Sequence, residues 1–576
     1  MSVPHFQAYR TKLQGLHEVS SMSHRKQHLW AFIFCLLFAI VLFWPLWRYP
    51  NTRVTDNYDG VFIAWTINWT QQVLLNNPVG LYNAPILAPL PSTYTFSDPF
   101  LTAALIGMPF WLITHQPILS LTINTLLSLI LTAFFGYLLV WEVTQDYWRS
   151  LTAGFFISYG VTHLTFLGHL HVLMVQWILL GMWAWLRFVS ASAVKVEPGK
   201  FSLQKHYLFV LAISLAAQFL NSPFSGYLFL ICFAAICFNR NSLKVAWSQK
   251  KLITLFLLPT FILIGLFYLP FWQAAHIYHS YRSINDAANF ALSVNELTSP
   301  LRLSRLYWLI WPLILFVVLK LLLKKKNNFT SNRLANNFLL AGVASTILAL
   351  GPVIKWMSHT VKVPFPLFHL LPIPLPYLVA YYLIPGFSAF RTPTRWLMAT
   401  QICLGMWLAL VLPKRFFNPF TFLLLVTVIF WEAQPFLSFQ TLPSTAQYPA
   451  VYQAIQQLPN GSILHLPTYT YDMPQAQKEV MRMLMGATAD HPTYNGYSGY
   501  APQYRMDEMV WMNQSPFQTL TQKVIVENKI KYVVIHLDEI GKSDLNLANE
   551  LSRVALYKDA NTIIVDTPYF QLACSG

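Results

Sequence analysis

The sequence predicts a polytopic α-helical membrane protein with a small soluble α/β domain at its C-terminal end. Three observations lead there. Of 576 residues, 55% are hydrophobic and only 10% charged, against about 25% charged in an ordinary soluble chain. Apolar runs such as "LWAFIFCLLFAIVLFWPLW" (29–47) reach the roughly 20 residues that cross a hydrocarbon core. Beyond residue 435 the pattern changes to short apolar strands alternating with helical segments.

Residues 1–29 read as a polar leader. The run that follows is span-length and has no small-residue cleavage site, so it is expected to stay attached as the first helix and not to act as a cleaved signal. Candidate spans then fall at 30–47, 118–141, 150–166, 171–189, 207–220, 224–238, 252–270, 306–323, 334–350, 396–412 and 416–434. These are about eleven, within a membrane domain of 30–435. With Arg10, Lys12, Arg25 and Lys26 inside, alternate gaps receive Arg149, the group from Arg187 to Lys205, the group from Arg240 to Lys251, Lys324 to Arg333, and Lys414 with Arg415. That asymmetry follows the positive-inside rule. It predicts a cytoplasmic N-terminus and an extracytoplasmic C-terminal domain over 436–576. The first outer loop is 48–117. Within it, the proline-bounded run 100–113 reads as an interfacial or re-entrant piece.

In the tail, "YPAVYQAIQQLPNGSILHLPTY" gives a helical pattern and then a strand, while "NKIKYVVIHL" and "NTIIVDTP" give two more strands. About 135 residues are an ordinary domain size. The formal charge of +16 comes as small groups between apolar runs, with no basic helix or arginine-rich tail, so a nucleic-acid partner is not expected. Cysteines 35, 232, 237, 403 and 574 form no CxxC and support neither a disulfide framework nor a zinc site.

Only nine acids occur between residues 30 and 435. The predicted topology places Asp56, Asp59, Asp98, Asp286, Glu296 and Glu432 outside. Asp56 and Asp59 follow the first span, and "DGVFIAWTINWTQQVLL" from Asp59 on reads as an amphipathic helix lying on the membrane. Helix capping accounts for one of the two on spacing alone. Asp98, before Pro99, reads either as a cap of the next helix or as a site residue. His163, His169 and His171 lie together without a fixed metal-ligand spacing, so interfacial packing or a hydrogen bond to substrate both fit. Arg391 and Arg395, four residues apart on the outer side, suit a phosphate clamp because the planar guanidinium makes paired hydrogen bonds; lipid headgroup anchoring is the plainer reading. "HPTYNGYSGYAPQYR" combines aromatics with Asn and Gly, which fits a sugar-binding loop or an ordinary tight turn.

The stretches "TDNYDG", "FSDPFLTA", "GHLHVL", "FRTPTRW" and "NGYSGY", strung along many spans and a tail domain, resemble bacterial multi-span members of the GT-C superfamily of membrane glycosyltransferases. The resemblance implies a GT-C-like fold in the bacterial plasma (inner) membrane. It implies transfer of a sugar, with inversion, from a polyprenyl-phosphate donor to a cell-envelope acceptor (lipid, glycan or protein) at the outer face. It places a catalytic acid in the first outer loop, here Asp56 or Asp59, spaced Asp-x-x-Asp where the family has a tighter pair. Substrate contacts fall on Asp98, His169, His171, Glu296, Arg391, Arg395, Asn495 and Tyr497. A divalent metal such as Mg or Mn, if present, falls to Asp56 and Asp59. Two rival classes are a lipid or polysaccharide transporter, or flippase, and a non-catalytic envelope-assembly scaffold. Ion-coupled transport calls for charged partners mid-span, and the acids here lie in outer loops.

Overall fold

A computed structural model describes residues 24–192, 203–299 apart from Tyr281, parts of 302–314, 333–487 apart from 366–368, and 491–575. Seven helices in it are long and apolar enough to cross a membrane: His24–Leu42, Pro117–Thr144, Leu170–Ser192, Leu203–Asn221, Lys250–Ile277, Pro393–Val411 and Pro419–Phe436. Pro223–Cys237 and Arg240–Ser248 make an eighth if counted as one span bent by 102°. The expected span at 150–166 is a shorter helix, Tyr147–Tyr159, and that at 334–350 is the 17-residue helix Arg333–Ala349. Most of the expected span at 306–323, the lysines that follow it and most of the leader lie outside the described residues.

Helix Lys250–Ile277 makes the case for lipid on physical grounds. Leu255, Leu258, Ile262, Leu263, Leu266 and Trp272 along it are all exposed. A continuous apolar face of that size in water marks an interaction surface or an aggregation liability, whereas hydrocarbon covers it without cost.

The first outer loop departs from its expected form. Helix Asp59–Asn76 is not an amphipathic helix on the membrane surface. Gly60 through Asn68 are all buried, and the helix packs against Pro117–Thr144, Leu101–Thr114 and Ala476–Gly486. Its polar residues are spent internally: Asn68 Oδ1 accepts from Trp111 Nε1 at 2.7 Å, and Gln71 Nε2 donates to Ala104 O at 3.1 Å. Burying such groups is tolerable only when they are paired in this way. The run at 100–113 forms helix Leu101–Thr114, about 21 Å long at 1.5 Å per residue and so short of the roughly 30 Å hydrocarbon core.

The tail carries a four-stranded sheet in the order Ile463–Leu466, Tyr532–His536, Thr562–Asp566, Tyr557–Lys558. The first pair is parallel and the others antiparallel. All three segments read as strands from the sequence are strands. Their residues are buried on both faces, and the pleat sorts them. Leu464, Leu466, Val533, Ile535, Ile563 and Val565 join one core with helices Gln503–Gln514, Thr519–Glu527 and Thr567–Ser575. Ile463, Tyr532, Val534 and Ile564 join another with Val451, Tyr452 and Ile455 of helix Ala450–Gln457. Helix Ala476–Gly486 instead sends Val480, Met483 and Leu484 into the core of the membrane helices, which fastens the tail onto the first outer loop.

Candidate active site

The loop before helix Asp59–Asn76 is held from three sides. Arg53–Val54 pairs as a short strand with Gln440–Thr441. Thr55 Oγ1 donates to Leu167 O at 3.1 Å, and Asn57 Nδ2 donates to Gln477 Oε1 at 2.8 Å. Gly168 lies so close that an added Cβ would come within 2.8 Å of Asp56 Cβ; a side chain there has no room.

The two first-loop acids differ in what they touch. Asp56 Oδ1 accepts from the backbone N–H groups of Tyr58 (2.8 Å) and Gly60 (3.3 Å), which satisfies free donors at the start of the helix. Asp59, in the first turn, accepts from Tyr497 Oη at 2.8 Å through Oδ1 and faces His169 Nε2 at 3.3 Å through Oδ2. Burial works to raise the Asp59 carboxyl; hydrogen bonding and charge from His169, the Tyr497 hydroxyl and the field of Arg395 outweigh it and hold it at about 2. Asp59 therefore stays ionised. Burial, by contrast, pushes Tyr497 up, and the neighbouring Asp59 adds to the push.

Asp98 is not a helix cap. The cap position of Leu101–Thr114 is Phe100, with no side-chain capping bond. Asp98 lies near Arg395, Ser222 and Asp59; burial raises its carboxyl, and Ser222 and Arg395 work against that rise. Phe100 has φ +49°, the left-handed region, a strain of order 1–3 kcal/mol that the surroundings must hold in place. Its N–H donates to Asn221 O at 3.2 Å. Arg395 stands over the Phe224 ring at 5.9 Å, and Arg391 over Phe290 at 5.4 Å. Among the described residues neither guanidinium closes an ion pair.

The remaining predicted positions separate. His169 joins the cluster, and His171 packs beside it with ring centroids 5.7 Å apart. His163 does not: its ring nitrogens meet the carbonyls of Ser158 (2.6 Å) and Leu173 (2.7 Å), a satisfied core histidine. Glu296 caps its own short helix by accepting from Ser293 N at 2.8 Å and pairs with Arg302 at 3.5 Å; no contact ties it to Asp59. Asn495 is equally committed, since its Oδ1 accepts from His465 N at 2.8 Å and its Nδ2 donates to His465 O at 3.0 Å. The stretch around it is an extended segment and not a tight turn. Leu87 N donates to Asn495 O and Ala88 N to Thr493 O, both at 2.9 Å, and a Cβ on Gly496 would meet Ile86 Cβ at 3.0 Å. The glycine serves close approach, which lets the segment carry Tyr497 to Asp59.

Sequence reasoning missed Asn221 and Ser222. Both are buried, and among the described residues Asn221 Nδ2 and Oδ1 have no hydrogen-bond partner. The visible signal was "NSP", a polar break between two apolar runs.

No family model matches the chain, and no curated protein matches it by sequence. Comparison of folds finds the Archaeoglobus fulgidus oligosaccharyltransferase tethered with an acceptor peptide, at TM-score 0.47 and 12% identity over 89% of this chain and 69% of that one. It also finds ArnT from Cupriavidus metallidurans bound to undecaprenyl phosphate, at TM-score 0.46 and 10% identity over 94% and 97%. A third match is the oligosaccharyltransferase in complex with Zn and sulfate, at TM-score 0.43 and 12% identity over 90% and 71%.

A divalent metal, which would fall to Asp56 and Asp59, does not fit these residues. Asp56 Oδ1 already takes two backbone N–H groups, and both Asp59 oxygens face donors. Among the described residues no group of three His, Cys, Asp or Glu stands close enough to hold an ion, and no step below runs through one.

Proposed function

We propose that this chain is an integral-membrane glycosyltransferase that moves a sugar from a polyprenyl-phosphate donor to a cell-envelope lipid, glycan or protein, with inversion, at the outer face of a bacterial plasma membrane. The observation that carries the reading is the half-buried Asp59 carboxylate, ionised and held by His169 and Tyr497, in the field of Arg395.

The chemistry follows from those groups. An acceptor hydroxyl approaches Asp59 and attacks the anomeric carbon. The new C–O bond forms as the bond to the carrier phosphate breaks, and the hydroxyl proton passes to Asp59. A carboxylate held at about 2 is a weak base. The acceptor hydroxyl strengthens it by taking the place of His169, while the Tyr497 hydroxyl keeps the carboxylate oriented. A positioned base is worth about 10²–10⁴-fold. The phosphate leaves with its bonding electrons, and Arg395, with Arg391 as the outer partner, stabilises the charge that develops. The apolar helices flank the prenyl chain. The Asp59 side and the tail domain lie outside, with the N-terminus in the cytoplasm.

The test is transfer of radiolabelled sugar from a polyprenyl-phosphate donor to envelope extract by the purified protein. Labelled acceptor should form with wild type and not with Asp59→Asn. Movement of an intact lipid across vesicles without any transfer refutes the reading in favour of a flippase.

A further inference from the structure

We propose that Asn221, Ser222 and His171 form a subsite for a hydroxylated ring, the sugar of the lipid-phosphate donor; this rests on the functional reading above. All three side chains are buried. Among the described residues the amide oxygen and nitrogen of Asn221 and both ring nitrogens of His171 lack a hydrogen-bond partner, as does the indole Nε1 of buried Trp396, and the Ser222 hydroxyl reaches only the Asp98 carboxyl. Buried polar groups are almost always paired, and leaving one unpaired costs its full desolvation. Several such atoms in one place therefore call for a partner that the chain itself does not supply.

They are in one place. His171 packs on His169, which faces Asp59, and on Phe100 at 5.8 Å. Phe100 is bonded through its backbone to Asn221. Trp396 packs on Phe224 at 5.6 Å, beneath Arg395. The cluster thus adjoins Asp59, Asp98 and Arg395, beside the place proposed above for the carrier phosphate.

The mixture of groups names the class. A phosphate is met by donors alone. Here Asn221 Oδ1 and Asp98 accept, Asn221 Nδ2 and Trp396 Nε1 donate, and Ser222 and His171 do either. Sugar hydroxyls, which donate and accept at once, answer that pattern, and the rings of Phe100, Phe224 and Trp396 frame the apolar faces of a pyranose.

The experiment titrates purified full-length protein with decaprenyl phosphate and with decaprenyl phosphate bearing a pentose, a hexose or an amino-hexose. Wild type is expected to prefer one sugar-bearing carrier over the bare one by about tenfold or more, the worth of one good hydrogen bond. In Asn221→Leu and in Ser222→Ala that preference collapses, while affinity for decaprenyl phosphate stays within about twofold. The Tm of Asn221→Leu holds or rises, because the amide has no internal hydrogen bond to lose. Equal losses for bare and sugar-bearing carriers, or a fall in Tm, overturn the proposal and make the residues structural. A wild type without preference among carriers overturns it and leaves the carrier reading intact. A wild type that does not bind decaprenyl phosphate refutes the carrier reading, and the subsite with it.

Discussion

Tyr497 Oη donates a 2.8 Å hydrogen bond to Asp59 Oδ1, joining two residues 438 positions apart. One comes from the tail and the other from the segment after the first long helix, so the site is complete only when the tail is docked. Tyr497→Phe removes the donor and keeps the ring that packs on Phe62 at 5.5 Å. The expected result is a fall in kcat of about tenfold, the scale of one hydrogen bond to a charged group in a partly exposed site, with the Asp59 carboxyl moved up towards the ordinary aspartate range. Transfer kinetics on the purified variant check this. Wild-type kcat in Tyr497→Phe excludes a role for the contact.

The two acids of the first loop are expected to separate on substitution. Asp56 accepts from two backbone N–H groups at the start of the helix, a role that Asn fills about as well as Asp, so Asp56→Asn should stay active and stable. Asp56→Ala should lose about 1 kcal/mol. Asp59→Asn should lose at least about 10²-fold in turnover with carrier binding kept. Equal activity of Asp59→Asn and wild type sinks the assignment.

How much of this was legible in the sequence depends on distance along the chain. The spans announce themselves because lipid demands apolar side chains at nearly every position. Asp56 and Asp59 stood out because acids are rare here. Which of them caps was not legible, since it turns on Tyr497 and His169, residues placed by folding. The helix after them looked amphipathic because Asn68 and Gln71 are polar. Their partners, Trp111 and Ala104, sit on another helix. Asn495 and Gly496 read as a turn by composition, yet the pairing with Leu87 and Ala88 keeps them extended.

The tail should show its own pH dependence. Glu479 is buried beside Arg482, with Nη1 to Oε2 at 3.3 Å; burial outweighs the arginine and raises its carboxyl to about 7. A carboxyl raised on folding binds more protons in the native state than in the unfolded one across the window from about pH 4.5 to 7. Stability therefore falls as pH rises through that window, by a contribution on the order of 3 kcal/mol, and the loss is complete above pH 7. Glu479→Gln removes the titration, so its Tm should vary less than wild type between those limits. Parallel Tm curves for the two proteins contradict this.

Orientation is open to a direct measurement. Fusions of alkaline phosphatase after residue 440 should be active and cytoplasmic reporters at the same point silent, because the basic gaps through Lys414 and Arg415 are retained inside. An active cytoplasmic reporter there reverses the topology and moves Asp59 to the other face.

Arg395 and Arg391 should differ in weight. Arg395 lies in the electrostatic reach of both Asp59 and Asp98, whereas Arg391 stands further out over Phe290. A lysine keeps the charge and loses the planar fork that grips two phosphate oxygens at once. Arg395→Lys should therefore weaken binding of decaprenyl phosphate by roughly tenfold, the value of one charge-assisted hydrogen bond. Arg391→Lys should weaken it less, because its stacking on an aromatic face is what changes most. Added salt separates this from headgroup anchoring. An exposed anchor is screened at moderate ionic strength, but a contact in the half-buried cluster is screened much less, so the Arg395 effect should persist at high salt. If both lysine variants bind decaprenyl phosphate as wild type does, the arginines anchor lipid headgroups and the phosphate is held elsewhere.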